Sequence, residues 1–109
     1  MSIDVQALYQ AALHDGLAAA KGHRKDLRSY LEARARLVAQ GIADLARDRA
    51  EGLIDDDDVR FAFGEIRASE ASAVQAIQAT GKAAAQDAIN AILGVVAAAL
   101  NKAIGIAIL

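Results

Sequence analysis

The sequence has no cysteine, no proline and no tryptophan, and its only aromatic residues are two tyrosines and two phenylalanines. Without cysteine, this chain forms no disulfide, no thiolate metal site and no cysteine nucleophile. Without proline it lacks the strongest helix breaker, while the helix formers Ala, Leu, Gln, Arg and Lys are abundant, so strands are not expected. Because the 55% hydrophobic content is mostly Ala with some Leu, Ile and Val, it is typical of thin seams between helices.

Size and charge narrow the possibilities further. A chain of 109 residues suffices for one domain, 1–109, but buries only about 60% of its unfolded surface by itself. The formal net charge of −2 provides no global field that attracts nucleic acid or anionic lipid, so no specific nucleic-acid partner is predicted. The first residues lack the basic stretch and apolar run of a secretory signal, which predicts a cytoplasmic location. The Ala-rich helical composition is common among bacterial and phage proteins and points to no particular family.

Apolar residues recur at intervals of three and four along most of the chain, which predicts an all-α fold of long amphipathic helices arranged as a hairpin or bundle. The expected helices cover residues 3–21, 24–51, 57–79 and 83–107. The last two either form one continuous helix or break near Thr80 and Gly81, and the break is favoured. Between the second and third helices, Gly52 suits a helix end and Asp55–Asp58 suit the cap and first turn of the next helix.

The segment from residue 83 onward is the most informative, because it is almost entirely apolar. At 100° per residue its polar side chains share an arc of roughly 160°, which defines a polar stripe of Gln86, Asn90, Asn101 and Lys102. The remaining circumference is hydrocarbon and includes Ile89, Ile92, Leu93, Val96, Leu100 and Ile104. Such a helix would expose more apolar surface than soluble monomers tolerate, so something has to cover it.

The favoured cover is the rest of the protein together with further copies of it, so that homo-oligomerisation completes the core of the bundle. Small residues four apart, which allow helices to approach closely, occur at Ala84 and Ala88 and again at Gly94 and Ala98. The sequence therefore predicts a structural or interaction protein that self-assembles through its C-terminal helix, with the apolar residues named above as the interface.

The alternative cover is lipid. Residues 88–109 would span about 33 Å as a helix, enough to cross a bilayer core. Asn90, Asn101 and Lys102 argue against a plain span, unless the polar stripe faces other copies or water and Lys102 snorkels from near the helix end. A membrane-associated oligomer of this kind would line a pore with the stripe of Asn90, Gly94 and Asn101. Two weaker alternatives are a groove in another protein that takes the apolar face and a cavity between helices that carries an apolar ligand.

Glu70 falls within an apolar stripe of the third helix, where burial is expected, and a buried carboxylate needs a partner. If the second and third helices form an antiparallel hairpin about residue 54, position 70 lies one turn from Arg34. We therefore predict an interhelical ion pair between Glu70 and Arg34 that fixes the register of the two helices.

Motifs for catalysis or for metal binding are not evident. His14 and His23 would lie on opposite faces of a continuous helix, and the four aspartates lack the ligand spacing of a calcium loop. A basic stretch over 21–36 has one aromatic residue and fits a solvated helix face. Ser69, Ser72 and Thr80 occur in no nucleophile or phosphate-binding motif, so a non-enzymatic protein without cofactors is expected.

Overall fold

The computed structural model describes residues 3–105 and contains no strand within them. Its elements are α1 (Val5–Ala20), α2 (Arg24–Ala50), α3 (Asp56–Val74) and α4 (Ala79–Ile104), with a 3-10 turn at Lys21–His23 between α1 and α2. The predicted all-α class is confirmed, and the helices pack closely as a bundle. The expected end of the last helix at 107 lies outside the described residues.

The first corner is closed by a change of backbone conformation at Lys21 rather than at the neighbouring glycine. α1 begins with the Asp4 carboxylate accepting a hydrogen bond from the Ala7 amide at 3.2 Å. It ends where Lys21 adopts a φ of +50°. The side chain of Arg24 then reaches back and donates from Nε to the carbonyl oxygen of Leu17 at 3.0 Å, which satisfies one terminal carbonyl of α1.

The hairpin between α2 and α3 follows the chemistry expected from its sequence. Gly52 has a φ of +74°, the left-handed conformation that glycine adopts without strain. The amide of Asp58 donates to the Asp55 carboxylate at 2.9 Å, and the amide of Asp55 donates to the Asp58 carboxylate at 3.0 Å. This reciprocal pair is a capping box, and Arg49 adds an ion pair to Asp56 at 2.7 Å across the turn.

α3 and α4 are separate helices, and the break between them precedes Thr80 and Gly81. α3 stops at Val74, and the amide of Ile77 donates to the carbonyl of Val74 at 3.0 Å in a tight final turn. α4 starts at Ala79, so both predicted boundaries of this break are a few residues late. Gly81 lies inside α4, and a Cβ there would make an ordinary van der Waals contact with Cγ2 of Ile77 at 3.6 Å.

One hydrophobic core is shared by all four helices. α4 packs most extensively on α1 and then on α2, whereas α3 covers α2 and α4 more narrowly. The bundle measures 44 × 24 × 19 Å, with its long axis along α2 and α4. α1 approaches α4 so closely that a Cβ on Gly16 would lie 2.9 Å from Cγ1 of Ile92, so the glycine permits this contact.

Candidate functional site

The side of α4 that faces solvent is the most distinctive surface of the protein. We call it the outward face of α4 and define it by six exposed residues, Ala83, Asp87, Asn90, Gly94, Ala98 and Lys102. At 100° per residue they occupy an arc of about 120°. Among the exposed positions between 88 and 101 no side chain is larger than asparagine, so the middle of this face is flat.

The opposite side of α4 is covered by the chain itself. Five of the six apolar residues assigned from the sequence to an oligomer or membrane interface are buried and one is half-buried: Ile89, Ile92, Leu93, Val96 and Leu100, and then Ile104. These six residues therefore lie in the bundle rather than on a free surface, which corrects the expected interface. The reason is that α1, α2 and, more narrowly, α3 of the same chain cover the wide apolar side.

The polar stripe expected on α4 is present on the outward side, although only part of it is fully exposed. Asn90 and Lys102 are exposed, while Gln86 and Asn101 are half-buried. The amide nitrogen of Gln86 donates to Oδ1 of Asn90 at 3.0 Å, one helical turn away. This local bond holds the Asn90 side chain along the helix surface, so Asn90 makes the middle of the face polar without projecting from it.

The two charges of the outward face lie near its ends and have opposite signs. Asp87 and Lys102 are 15 residues apart, or about 22 Å along the axis, and no charged residue lies between them. Within residues 3–105 neither of them forms an ion pair. At the centre, a Cβ on Gly94 would meet nothing within 4 Å, so this position is open to a second molecule.

Charge is also unevenly distributed along the whole bundle. At the end where α1 meets α2 and α3 meets α4, residues 14–36 and 70–87 carry seven Lys and Arg against five Asp and Glu, a net +2. The remaining described residues, 3–13, 37–69 and 88–105, carry five Lys and Arg against nine Asp and Glu, a net −4. We call these the basic end and the acidic end. α4 runs from the first to the second.

Comparison with known proteins does not identify the chain. No family model matches it, and neither the curated proteins nor the solved structures contain a significant match.

Glu70 and Arg34 lie together between α2 and α3, in the register that the sequence predicts. Nε of Arg34 donates to Oε1 of Glu70 at 2.8 Å, and Nη2 donates to Oε2. Glu70 is 2% exposed, and the bidentate geometry satisfies its carboxylate. The hydrogen bond to Glu70 raises the pKa of Arg34, so the guanidinium stays charged. These contacts join α2 to α3 at this register.

Tyr30 lies beside this pair, and sequence reasoning did not single it out as a buried group. Its hydroxyl is shielded from solvent and has no hydrogen-bond partner among the described residues. Burial raises the pKa of Tyr30, and the Glu70 carboxylate acts in the same direction, while Arg34 opposes it. The phenol is therefore protonated near neutral pH and is a poor candidate for a base.

A shallow cleft between α2 and α3 is a second feature that sequence reasoning missed. It has a volume of about 400 Å³, and it is lined by Leu37, Val38, Gly41, Glu65, Ile66, Ser69 and Glu70. Leu37 remains 59% exposed beside it. The sequence contained a signal for this cleft. Leu37 is adjacent to Val38, which belongs to the buried stripe of α2, so Leu37 is rotated by 100° away from that stripe and its large apolar side chain is left at the surface.

The histidines and the aspartate run occupy ordinary surface positions. His14 is exposed beside Asp15, with Nδ1 and Oδ1 3.2 Å apart, and His23 belongs to the 3-10 turn. Between residues 3 and 105, no three His, Cys, Asp or Glu side chains are grouped so that they could hold a metal ion. The aspartates cap α3, and the amide of Asp58 lowers the pKa of Asp55 by donating to its carboxylate.

Proposed function

We propose that this protein is a non-enzymatic interaction protein that self-associates through the outward face of α4. The observation that carries the proposal is the flat, uncharged middle of this face, bounded by Asp87 and Lys102 and centred on Gly94. The sequence assigned self-association to this helix through its large apolar residues. The proposal keeps the helix and moves the interface to its small-residue side.

The geometry suits a helix of the same kind. Two helices approach more closely when the side chains between them are small, and the close approach increases the contact of both backbones. Half-buried Ala91, Val95 and Ala97 flank the exposed positions, so a second helix would remove further apolar surface from water. A two-fold dimer requires a self-complementary patch, and a flat face meets this requirement with itself.

The test compares two glycine substitutions. Gly94→Arg places a long cation at the centre of the outward face, where two copies would repel each other. Gly64→Arg is the matched control, because Gly64 also lies inside a helix with nothing within 4 Å of its Cβ, but on α3. Both changes replace an exposed helical glycine and are expected to stabilise their helices by about 1 kcal/mol. A change in the mass of either variant therefore does not result from unfolding.

Light scattering coupled to gel filtration, in buffer without detergent, measures the mass of each protein. We expect a dimer for the parent and for Gly64→Arg, and a monomer for Gly94→Arg at the same concentration. A monomeric parent at high micromolar concentration, or a Gly94→Arg protein that stays dimeric, would contradict the proposal.

A membrane role is the second candidate, and the length and composition of α4 favour it. The helix contains an 18-residue window with a mean hydropathy of 1.6, of which 39% is buried inside the bundle. Insertion would require α4 to leave α1 and α2 and expose their apolar sides to water or to other copies. Flotation with phosphatidylcholine and phosphatidylglycerol vesicles distinguishes the candidates. A protein that is monomeric in buffer and floats with vesicles supports membrane association, whereas a dimer that stays at the bottom supports the first proposal.

A further inference from the structure

The position of the charges in the fold indicates how two copies would be oriented. In a parallel pair of α4 helices, Asp87 would face Asp87 and Lys102 would face Lys102, and both contacts would be repulsive. In an antiparallel pair with its two-fold axis between Gly94 and Val95, Asp87 of each copy lies level with Lys102 of the other. The interface then contains two opposite-charge pairs, because symmetry repeats each contact.

The outward face is compatible with this register along its length. About the same axis, Ala91 of one copy lies level with Ala98 of the other, and at 100° per residue both positions lie between Asp87 and Lys102 around the helix. The crossing point then lies at Gly94 and the half-buried Val95, and the glycine there allows the two helices to approach closely. Asp87 and Lys102 both have exposed side chains, so they are free to meet a partner there.

The charge of the whole bundle favours the same orientation. α4 runs from the basic end, with a net +2, to the acidic end, with a net −4. An antiparallel dimer places the basic end of each copy beside the acidic end of the other, whereas a parallel dimer places like ends together. Complementary surface charge fixes the orientation of two proteins and raises their association rate, and salt weakens both effects.

We propose that the partner of the outward face is a second copy of this chain in antiparallel orientation, selected by Asp87, Lys102 and the opposite charge of the two ends. This inference rests on the proposed self-association and adds its orientation and register. It predicts that dimers weaken as salt is raised, because the selecting charges are at the surface.

Disulfide cross-linking tests the orientation, and the natural absence of cysteine makes the chain a clean background. We would prepare Ala91→Cys, Ala98→Cys and Gly94→Cys separately and oxidise each alone, together with an equal mixture of the first two. Positions 91 and 98 are about 10.5 Å apart along one helix, beyond the roughly 7 Å that a disulfide can span. Gly94→Cys lies near the axis and reports association in either orientation.

The antiparallel dimer predicts cross-links in the Ala91→Cys and Ala98→Cys mixture, at up to about half of the dimers by statistics, and little cross-linking of either protein alone. Cross-linking of each protein alone overturns the orientation. A cross-link at Gly94→Cys with none in the mixture overturns the register. If Gly94→Cys also fails to cross-link and the parent is monomeric by light scattering, the proposed self-association has failed, and the orientation with it.

Charge reversal provides an independent readout. Asp87→Lys and Lys102→Glu each turn both symmetric pairs into like-charge contacts, and we expect a dimer dissociation constant roughly 10-fold higher for each. The double variant restores opposite charges and is expected to dimerise like the parent. Glu65→Lys, at an exposed site on α3, controls for net charge. Equal affinity of the parent and both single variants would overturn the assigned pairing.

Discussion

The two sides of α4 show how one helix can serve folding and remain available to a partner. Its inner side consists of large apolar residues such as Ile89, Ile92 and Val96, and each is at most 1% exposed. Its outward face, on the same backbone, consists mainly of Ala, Gly and Asn. Between Asp87 and Lys102 neither side carries a charge, so charge does not distinguish the two sides there. The size of the side chain separates them, because large apolar groups gain most from burial and small ones leave a smooth surface.

The largest expected difference between the two sides concerns stability. Ile92→Ala empties a fully buried site that contacts α1, and we expect a loss of about 2–5 kcal/mol in the free energy of unfolding. Asn90→Ala, two residues away on the outward face, is the matched control and is expected to change stability by at most about 0.5 kcal/mol. Urea unfolding at a concentration where the protein is monomeric measures both. Similar losses at the two positions would show that the two sides are not distinct.

Interior and surface polar pairs offer the next comparison. Glu70→Gln leaves Arg34 without its counter-ion, and we expect a loss of about 2–3 kcal/mol, reduced from that of a fully buried pair because Arg34 is 22% exposed. In the double variant with Arg34→Met, most of this loss is expected to be recovered. On the outward face, Gln86→Ala removes a surface hydrogen bond and is expected to cost about 0.5 kcal/mol at most. Additive losses for Glu70→Gln and Arg34→Met in a double-mutant cycle would show that the two residues are not coupled.

The smallest expected effects are changes in stability that have opposite signs on the two sides of α4. Gly94→Ala adds a methyl group to open space and is expected to stabilise α4 by about 1 kcal/mol. Gly16→Ala improves the helix propensity of α1 equally, but its methyl group would press on the buried Ile92, and we expect a net loss of about 1 kcal/mol. Thermal unfolding of both variants checks the prediction. A gain at position 16 would show that α1 and α4 can separate without cost.

The sequence predicted several elements because their signals are local or periodic. The aspartate run before Val59 predicted a helix cap, since exposed amides at a helix start attract acidic side chains, and Asp55 and Asp58 provide it. The partnership of Glu70 with Arg34 followed from the place of Glu70 in an apolar stripe and from the hairpin, because antiparallel helices joined by a short turn keep their residues in register. The break after Val74 was placed too late, because Gly81 is the most visible helix breaker in this part of the sequence, whereas in the structure Gly81 lies inside α4.

The sequence could not predict which part of the molecule buries the apolar side of α4. Periodicity showed that one side of the helix was hydrocarbon and that the polar residues shared the other, and both observations hold. Periodicity could not show how much of the apolar side α1 and α2 would cover, because that depends on how closely they approach. Gly16 sets this approach for α1, and nothing in its local sequence indicates that it faces Ile92.

The sequence by itself determined that the chain is helical, where α2 turns into α3, and that the residues of α4 divide into a large apolar side and a small polar side. These properties follow from backbone propensity, capping and the 3.6-residue period, all of which act over a few residues. The tertiary structure alone decided that the apolar side belongs to the chain's own core and that the basic and acidic ends lie at opposite ends of α4. Both depend on contacts between residues far apart in sequence, whose direction and depth are set by packing.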